Sequence, residues 1–183
     1  MKEKIINIPN AITFLRLLLL PAVLILFHRE FWVAAAALYI ILMLSDALDG
    51  FAARKLKQET YFGRCFDTVA DFGVYYTFLI YLFMNGWIVL VNFILIMISA
   101  IPLIGIIHTI SRKAGRFYTP HKISAKVFAI AIHIALLSFL IRYFYANYVL
   151  FAALVVAYVY TIPDYLRYAM KYRPRRKRKK KKK

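Results

Sequence analysis

Asp46-Ala-Leu-Asp49-Gly50-Phe-Ala-Ala53-Arg54, eight further residues, then Gly63-Arg-Cys-Phe-Asp67-Thr-Val-Ala-Asp71: this stretch decides the reading of the chain. The protein has eight acidic residues, and four of them are these aspartates. Each pair lies where a polar segment meets a long apolar run. A charged side chain at membrane depth costs about 2.5–3.5 kcal/mol on the insertion scale, so such residues are kept for a function or a partner. Asp46 and Asp49 are three apart, and Asp67 and Asp71 four apart, so on helices each pair shares a face. Two helices meeting across the intervening loop bring four carboxylates together. A divalent cation relieves their repulsion, and all-oxygen ligation suits Mg²⁺ or Mn²⁺ shared with substrate phosphates. Gly50 and Gly63 permit close approach of a ligand to the backbone, or else help end and start helices. The fork of donors on Arg54 suits phosphate oxygens.

Outward from this stretch the chain reads as membrane protein. Of its 183 residues 63% are hydrophobic, against about 45–50% in soluble domains, and they are gathered into runs. Six such segments are counted, at residues 12–27, 31–45, 63–83, 87–108, 124–145 and 148–170. A span needs about 20 residues. The first two are short, and extension of the first to Asn10 and of the second into Asp46–Arg54 supplies the length. Pro21 is expected to kink the first helix. The fold class expected is therefore all-α, a polytopic integral membrane protein of six transmembrane helices. A short N-terminal segment around Ile5, Ile6 and Ile8 is expected to lie amphipathically on the surface.

The net charge of +18 is concentrated at one end. Eleven of the last thirteen residues are Lys or Arg, and without them 15 basic residues exceed 8 acidic ones by seven. The chain thus divides into a membrane domain, 1–170, and a basic tail, 171–183. Beside a hydrophobic segment such a tail suits anionic lipid headgroups rather than nucleic acid. One cysteine, Cys65, excludes an internal disulfide. The positive-inside rule puts both termini and all four motif aspartates in the cytoplasm, with Arg29 and Arg142 the full positive charges on the far side. Trp32, Trp87, Tyr143, Tyr145 and Tyr148 near segment ends suit either an interfacial belt or ordinary packing.

The central stretch resembles the motif of the CDP-alcohol phosphatidyltransferase family, Asp-x2-Asp-Gly-x2-Ala-Arg-x8-Gly-x3-Asp-x3-Asp. All eight fixed residues and the eight-residue gap are matched over 26 positions. The resemblance implies a membrane enzyme of phospholipid synthesis that displaces CMP from a CDP-linked lipid, CDP-diacylglycerol or CDP-archaeol, with an alcohol. It implies that Asp46, Asp49, Asp67 and Asp71 hold two divalent ions and that Asp71 is the general base. Gly50, Ala53, Arg54 and Gly63 would contact the CDP moiety. Thr60 would touch it or serve as a plain helix cap. A homodimer is implied as well.

A second resemblance lies at Ile8-Pro9-Asn10-Ala-Ile-Thr13-Phe-Leu-Arg16. It is similar to the Asn-x-Pro-Asn-x-x-Thr-x-x-Arg region of phosphatidylglycerophosphate synthases. Asn10, Thr13 and Arg16 share a helix face, which would wall the nucleotide site, or else Pro9 and Asn10 simply start the helix. A basic group, Arg112, Lys113, Arg116, His121, Lys122 and Lys126, lies on the same side. Arg112, Arg116, Lys122 and above all Lys126 are candidates to bind an acceptor phosphate such as that of glycerol 3-phosphate, although positive-inside anchoring also accounts for basic residues here. The motif ends Asp67-Thr-Val-Ala-Asp71-Phe72 where glycerophosphate synthases carry Asp-Pro-x-Ala-Asp-Lys. That leaves inositol phosphate, serine or another phospholipid open as acceptor. His108 and His133 are expected to make helix–helix hydrogen bonds, and Asp164 to pair with Arg167. An ion or metal transporter is the rival from another class. Such proteins place the site near the midplane with internal repeats, which this chain lacks.

Overall fold

The structure, a computed structural model, describes residues 7–55, 60–115, 118 and 122–172; the side chains of residues 46–54 and 64 are outside that description. Among the described residues the secondary structure is entirely helical. The helices are α1 (Ile8–His28), α2 (Trp32–Lys55), α3 (Tyr61–Met84), α4 (Leu90–Ala114), α5 (Ile123–Leu140), α6 (Ala146–Val156) and α7 (Ile162–Lys171). A π-helical segment, Ala157–Thr161, joins α6 to α7, so that residues Ala146–Lys171 run as one 26-residue rod.

Four of these rods are long and apolar enough to cross a membrane: α1, α4, α5 and Ala146–Lys171. The fold is that of an integral membrane protein. The expected count of six meets a physical obstacle in the other two. In α2 the apolar part is Trp32–Ser45, and the helix runs on through the motif to Lys55, as the length argument requires. In α3, 24 residues are ample, but its first three turns carry Arg64, Asp67 and Asp71. Of the N-terminal amphipathic segment, residues 1–6 lie outside the described residues and Ile8 begins α1; of the basic tail 171–183, residues 173–183 lie outside them and Lys171 ends α7.

Local chemistry sets the boundaries. The side chain of Asn7 caps α1 by accepting the Asn10 N–H at 2.9 Å, with Pro9 in the first turn where no N–H is needed. From there α1 buries one stripe at helical spacing, Pro9, Asn10, Thr13, Arg16, Leu20, Val23 and Phe27. Its opposite face exposes Phe14, Leu15, Leu18 and Ile25, which suits contact with lipid. The stripe is polar at one end and apolar at the other, and this gradient positions the site. The helix continues through Pro21. The π segment also has a cause in the sequence. Pro163 lacks an N–H and crowds the carbonyl four residues before it, and just ahead of it the Ile162 N–H reaches back five residues to the Ala157 carbonyl.

The apolar core is built by the upper stripe of α1 with Tyr39, Phe78, Leu82, Leu136, Phe139 and Leu150. Within it His133 of α5 bonds Tyr39 of α2 through Nδ1 at 2.8 Å and Tyr75 of α3 through Nε2 at 2.9 Å. This is the helix–helix role expected of it. His108 instead stands exposed on α4.

The end away from the motif is tightly knit. Short turns join α1 to α2 and α3 to α4, and Arg142 stacks over both Trp32 (4.5 Å) and Trp87 (5.0 Å). Asn147 accepts from the Val89 N–H at 3.0 Å and donates to the Trp87 carbonyl at 2.9 Å. Trp32 and Trp87 are thus packing residues here, whereas Tyr143, Tyr145 and Tyr148 are exposed.

Candidate active site

At the polar end of α1, three side chains that the sequence placed on one face are all buried: Asn10, Thr13 and Arg16. α1 packs against both α2 and α3, the two helices that carry the motif. Thr13 spends its hydroxyl on the Pro9 carbonyl at 3.2 Å, within its own helix. Arg16 reaches across to α3. Its Nη2 donates to Asp67 Oδ1 at 2.7 Å and its Nη1 to Asp71 Oδ1 at 3.2 Å. The arginine side chain is 7% exposed, the two aspartates 42% and 34%. The guanidinium therefore lies behind the carboxylates, and the carboxylates face the open side.

Asp67 and Asp71 are brought to one face as the spacing predicts. Asp46, Asp49, Gly50, Ala53 and Arg54 all lie in the last turns of α2, and their side chains are among those outside the description. Among the described residues no group of three His, Cys, Asp or Glu could hold a metal ion. The two described aspartates fit a hard cation in donor chemistry, being paired carboxylates on one helix face and partly open to solvent.

Thr60 is the N-cap of α3, its hydroxyl accepting the Gly63 N–H at 2.9 Å. Of the two roles open to it from sequence, the cap is the one seen. Gly63 is explained by a neighbour. A Cβ there would meet Asn10 Oδ1 at 2.6 Å and Thr60 Oγ1 at 2.9 Å, so the missing side chain makes room for the buried Asn10. We predict that Gly63→Ala pushes Asn10 out of place and costs about 1–3 kcal/mol, the usual range for overpacking. A thermal melt in detergent measures it, and a wild-type melting temperature would count against this packing role.

The basic group is less uniform than its sequence. Lys122 is engaged: it pairs with Asp164 at 3.3 Å and lies 4.9 Å over the Tyr168 ring. Ser124 donates to the other Asp164 oxygen at 2.6 Å. Asp164 is thus hydrogen-bonded across helices to Lys122 and Ser124 at the start of α5, while Arg167, the partner expected from local spacing, acts on it through its charge. Lys113 caps the end of α7, donating to the Ala169 carbonyl at 2.7 Å. Arg112 and Lys126 are exposed. Arg116 and His121 lie outside the described residues.

Sequence reasoning placed Arg16 on the correct face and missed its partners. The signal was available: a buried guanidinium needs carboxylates, and in a chain with eight acidic residues, four in the motif, few candidates exist.

An all-helical membrane fold with a carboxylate-lined polar end is the class that the geometry defines. Residues 6–161 match the family model described as CDP-alcohol phosphatidyltransferase, and the chain belongs to that family. It is similar to the CDP-diacylglycerol–glycerol-3-phosphate 3-phosphatidyltransferase of Pseudomonas fluorescens, with 44% identity over 68 residues, 36% of this chain and 35% of the relative. The protein of the same name from Aquifex aeolicus is 42% identical over 65 residues, 36% of each chain. That from Cereibacter sphaeroides is 39% identical over 93 residues, 46% of this chain and 42% of the relative. The matched stretches thus span a third to two fifths of those relatives' lengths.

Proposed function

We propose that the protein is a phosphotransferase of phospholipid synthesis. It would transfer a phosphatidyl-type group from CDP-diacylglycerol, or its archaeal ether counterpart CDP-archaeol, to glycerol 3-phosphate, releasing CMP. The observation that carries this reading is the matched family motif with two of its aspartates gathered at the polar end of the bundle. The names of the relatives favour glycerol 3-phosphate as acceptor. The Asp71-Phe72 ending supports inositol phosphate, serine or another phospholipid as the second reading.

Asp46, Asp49, Asp67 and Asp71 would hold two Mg²⁺ or Mn²⁺ ions. Bound there, the metal would screen the pyrophosphate and stabilise the leaving CMP. Asp71 takes the proton from the acceptor hydroxyl, whose oxygen attacks the β-phosphorus. Gly50, Ala53 and Arg54 contact the donor from α2, and Gly63, Asn10, Thr13 and Thr60 shape the wall opposite. Arg112, Arg116 and Lys126, with Lys122 if it leaves Asp164, attract the acceptor phosphate. Six spans, cytoplasmic site and termini, a 1–170 membrane domain with a lipid-attracted tail, and a homodimer complete the reading.

The test is CMP release by the purified chain in detergent with CDP-diacylglycerol and a panel of alcohols, with and without chelator. Turnover is expected with glycerol 3-phosphate and is expected to vanish on chelation. Release with another alcohol alone reassigns the acceptor, and full turnover in excess chelator refutes the metal site.

A further inference from the structure

We propose that Arg16 is a positioning residue of the phosphotransfer site, a clamp that holds the carboxylates of Asp67 and Asp71 from behind in the arrangement that takes up a divalent ion. The inference rests on the functional reading above and concerns a residue outside the eight-residue motif of α2 and α3, the arginine that closes the N-terminal stretch on α1. Its basis is the pattern of contacts. A guanidinium that needed only a counter-charge could settle on one carboxylate. Arg16 uses two nitrogens on two carboxylates, at 2.7 and 3.2 Å.

Residues four apart on a helix have Cβ atoms about 5–6 Å apart, wider than the two terminal nitrogens of a guanidinium. Both carboxylates must therefore turn inward onto the fork. Left to themselves, two like charges swing apart. Burial gives the direction of the clamp. Arg16 is at the packed interface of α1, while its partners are several-fold more exposed. The fork thus fixes both side chains without covering their open side. Arg16 is itself set by the stripe it belongs to: Asn10 seats against Gly63, Thr13 ties back to Pro9, and Leu20 begins the apolar core.

A partner that orients metal ligands changes affinity by about 10–100-fold when it is removed. The sign of the effect discriminates between roles. If Arg16 acted only by its charge, neutralising it would strengthen the attraction of the site for a cation. If it acts by orientation, neutralising it weakens uptake. A lysine keeps the charge but, as a single point, cannot span both carboxylates.

The experiment uses the full chain in detergent, stripped with chelator and then titrated with Mn²⁺, reading free Mn²⁺ by electron paramagnetic resonance. Melting temperatures in chelator show which variants are folded. Arg16→Gln is expected to bind Mn²⁺ about 10–100-fold more weakly than wild type, and Arg16→Lys to fall between the two. Unchanged or tighter Mn²⁺ binding by folded Arg16→Gln overturns the clamp. If Arg16→Gln does not fold, Arg16→Lys decides, and wild-type affinity in that variant overturns the clamp equally. A wild-type chain that takes up no Mn²⁺ overturns the metal site and the clamp with it. Wild-type uptake with unaffected variants overturns the clamp alone.

Discussion

Asp71→Asn is expected to lower single-turnover phosphotransfer by about 10²–10⁴-fold, the contribution of a positioned general base, while keeping much of the affinity for the CDP-lipid. The geometry makes this substitution clean. Asp71 Oδ1 accepts from Arg16 Nη1 at 3.2 Å, and an asparagine of the same shape still offers a carbonyl oxygen there. The clamp and the helix packing are retained, Asp46, Asp49 and Asp67 would still hold metal, and what is lost is one proposed ligand charge together with the proposed ability to accept a proton from the acceptor hydroxyl. Asp46→Asn removes a proposed metal ligand on α2 and is expected to weaken donor binding strongly. Donor affinity and single-turnover rate for both variants separate the roles. Equal loss of donor binding in the two would make Asp71 chiefly a ligand, and the base would lie elsewhere.

How far the sequence alone carries this is clear from individual residues. The motif points to the chemistry because its eight fixed residues and their gaps match those of the CDP-alcohol phosphatidyltransferase family, while the residues alone carry the reading only as far as carboxylates suited to a divalent ion and phosphate. The extension of α2 through the motif to Lys55 followed from length, since a short apolar run must borrow residues to span. The stripe Asn10, Thr13, Arg16 was legible because helical periodicity depends only on spacing along one element.

What spacing cannot supply is the neighbour across a helix interface. Asp164 illustrates it. Local reasoning offered Arg167, three residues on, which contributes its charge, but the hydrogen-bond partners are Lys122 and Ser124, 42 and 40 residues away. Gly63 shows the same limit from the other side. Its need for an absent side chain is set by Asn10, 53 positions earlier in the chain and on another helix. Arg16 lies between these cases. A buried arginine predicts a carboxylate, but only the packing of α1 on α3 selects Asp67 and Asp71.

Asp67 then allows metal binding and fold stability to be pulled apart. Chelation of the wild type and Asp67→Ala are both expected to abolish metal-dependent CMP release, because each deprives the site of its cation. They differ in what they leave behind. In chelator the wild type keeps the 2.7 Å contact between Arg16 and Asp67. The alanine variant removes the nearer of the two carboxylates seen, among the described residues, around this guanidinium, which is 7% exposed, while Asp71 remains. Losing a hydrogen bond to a buried charged group costs about 1.5–3 kcal/mol, well short of the cost of a buried charge with no partner. Unfolding should therefore be compared in excess chelator, where metal stabilises neither protein. Asp67→Ala is expected to melt below wild type by an amount within that range, and Asp67→Asn, which keeps an acceptor oxygen, to lose less. Equal stability of all three in chelator would mean that Arg16 draws nothing from Asp67, and the pairing at the floor of the site would have no energetic role.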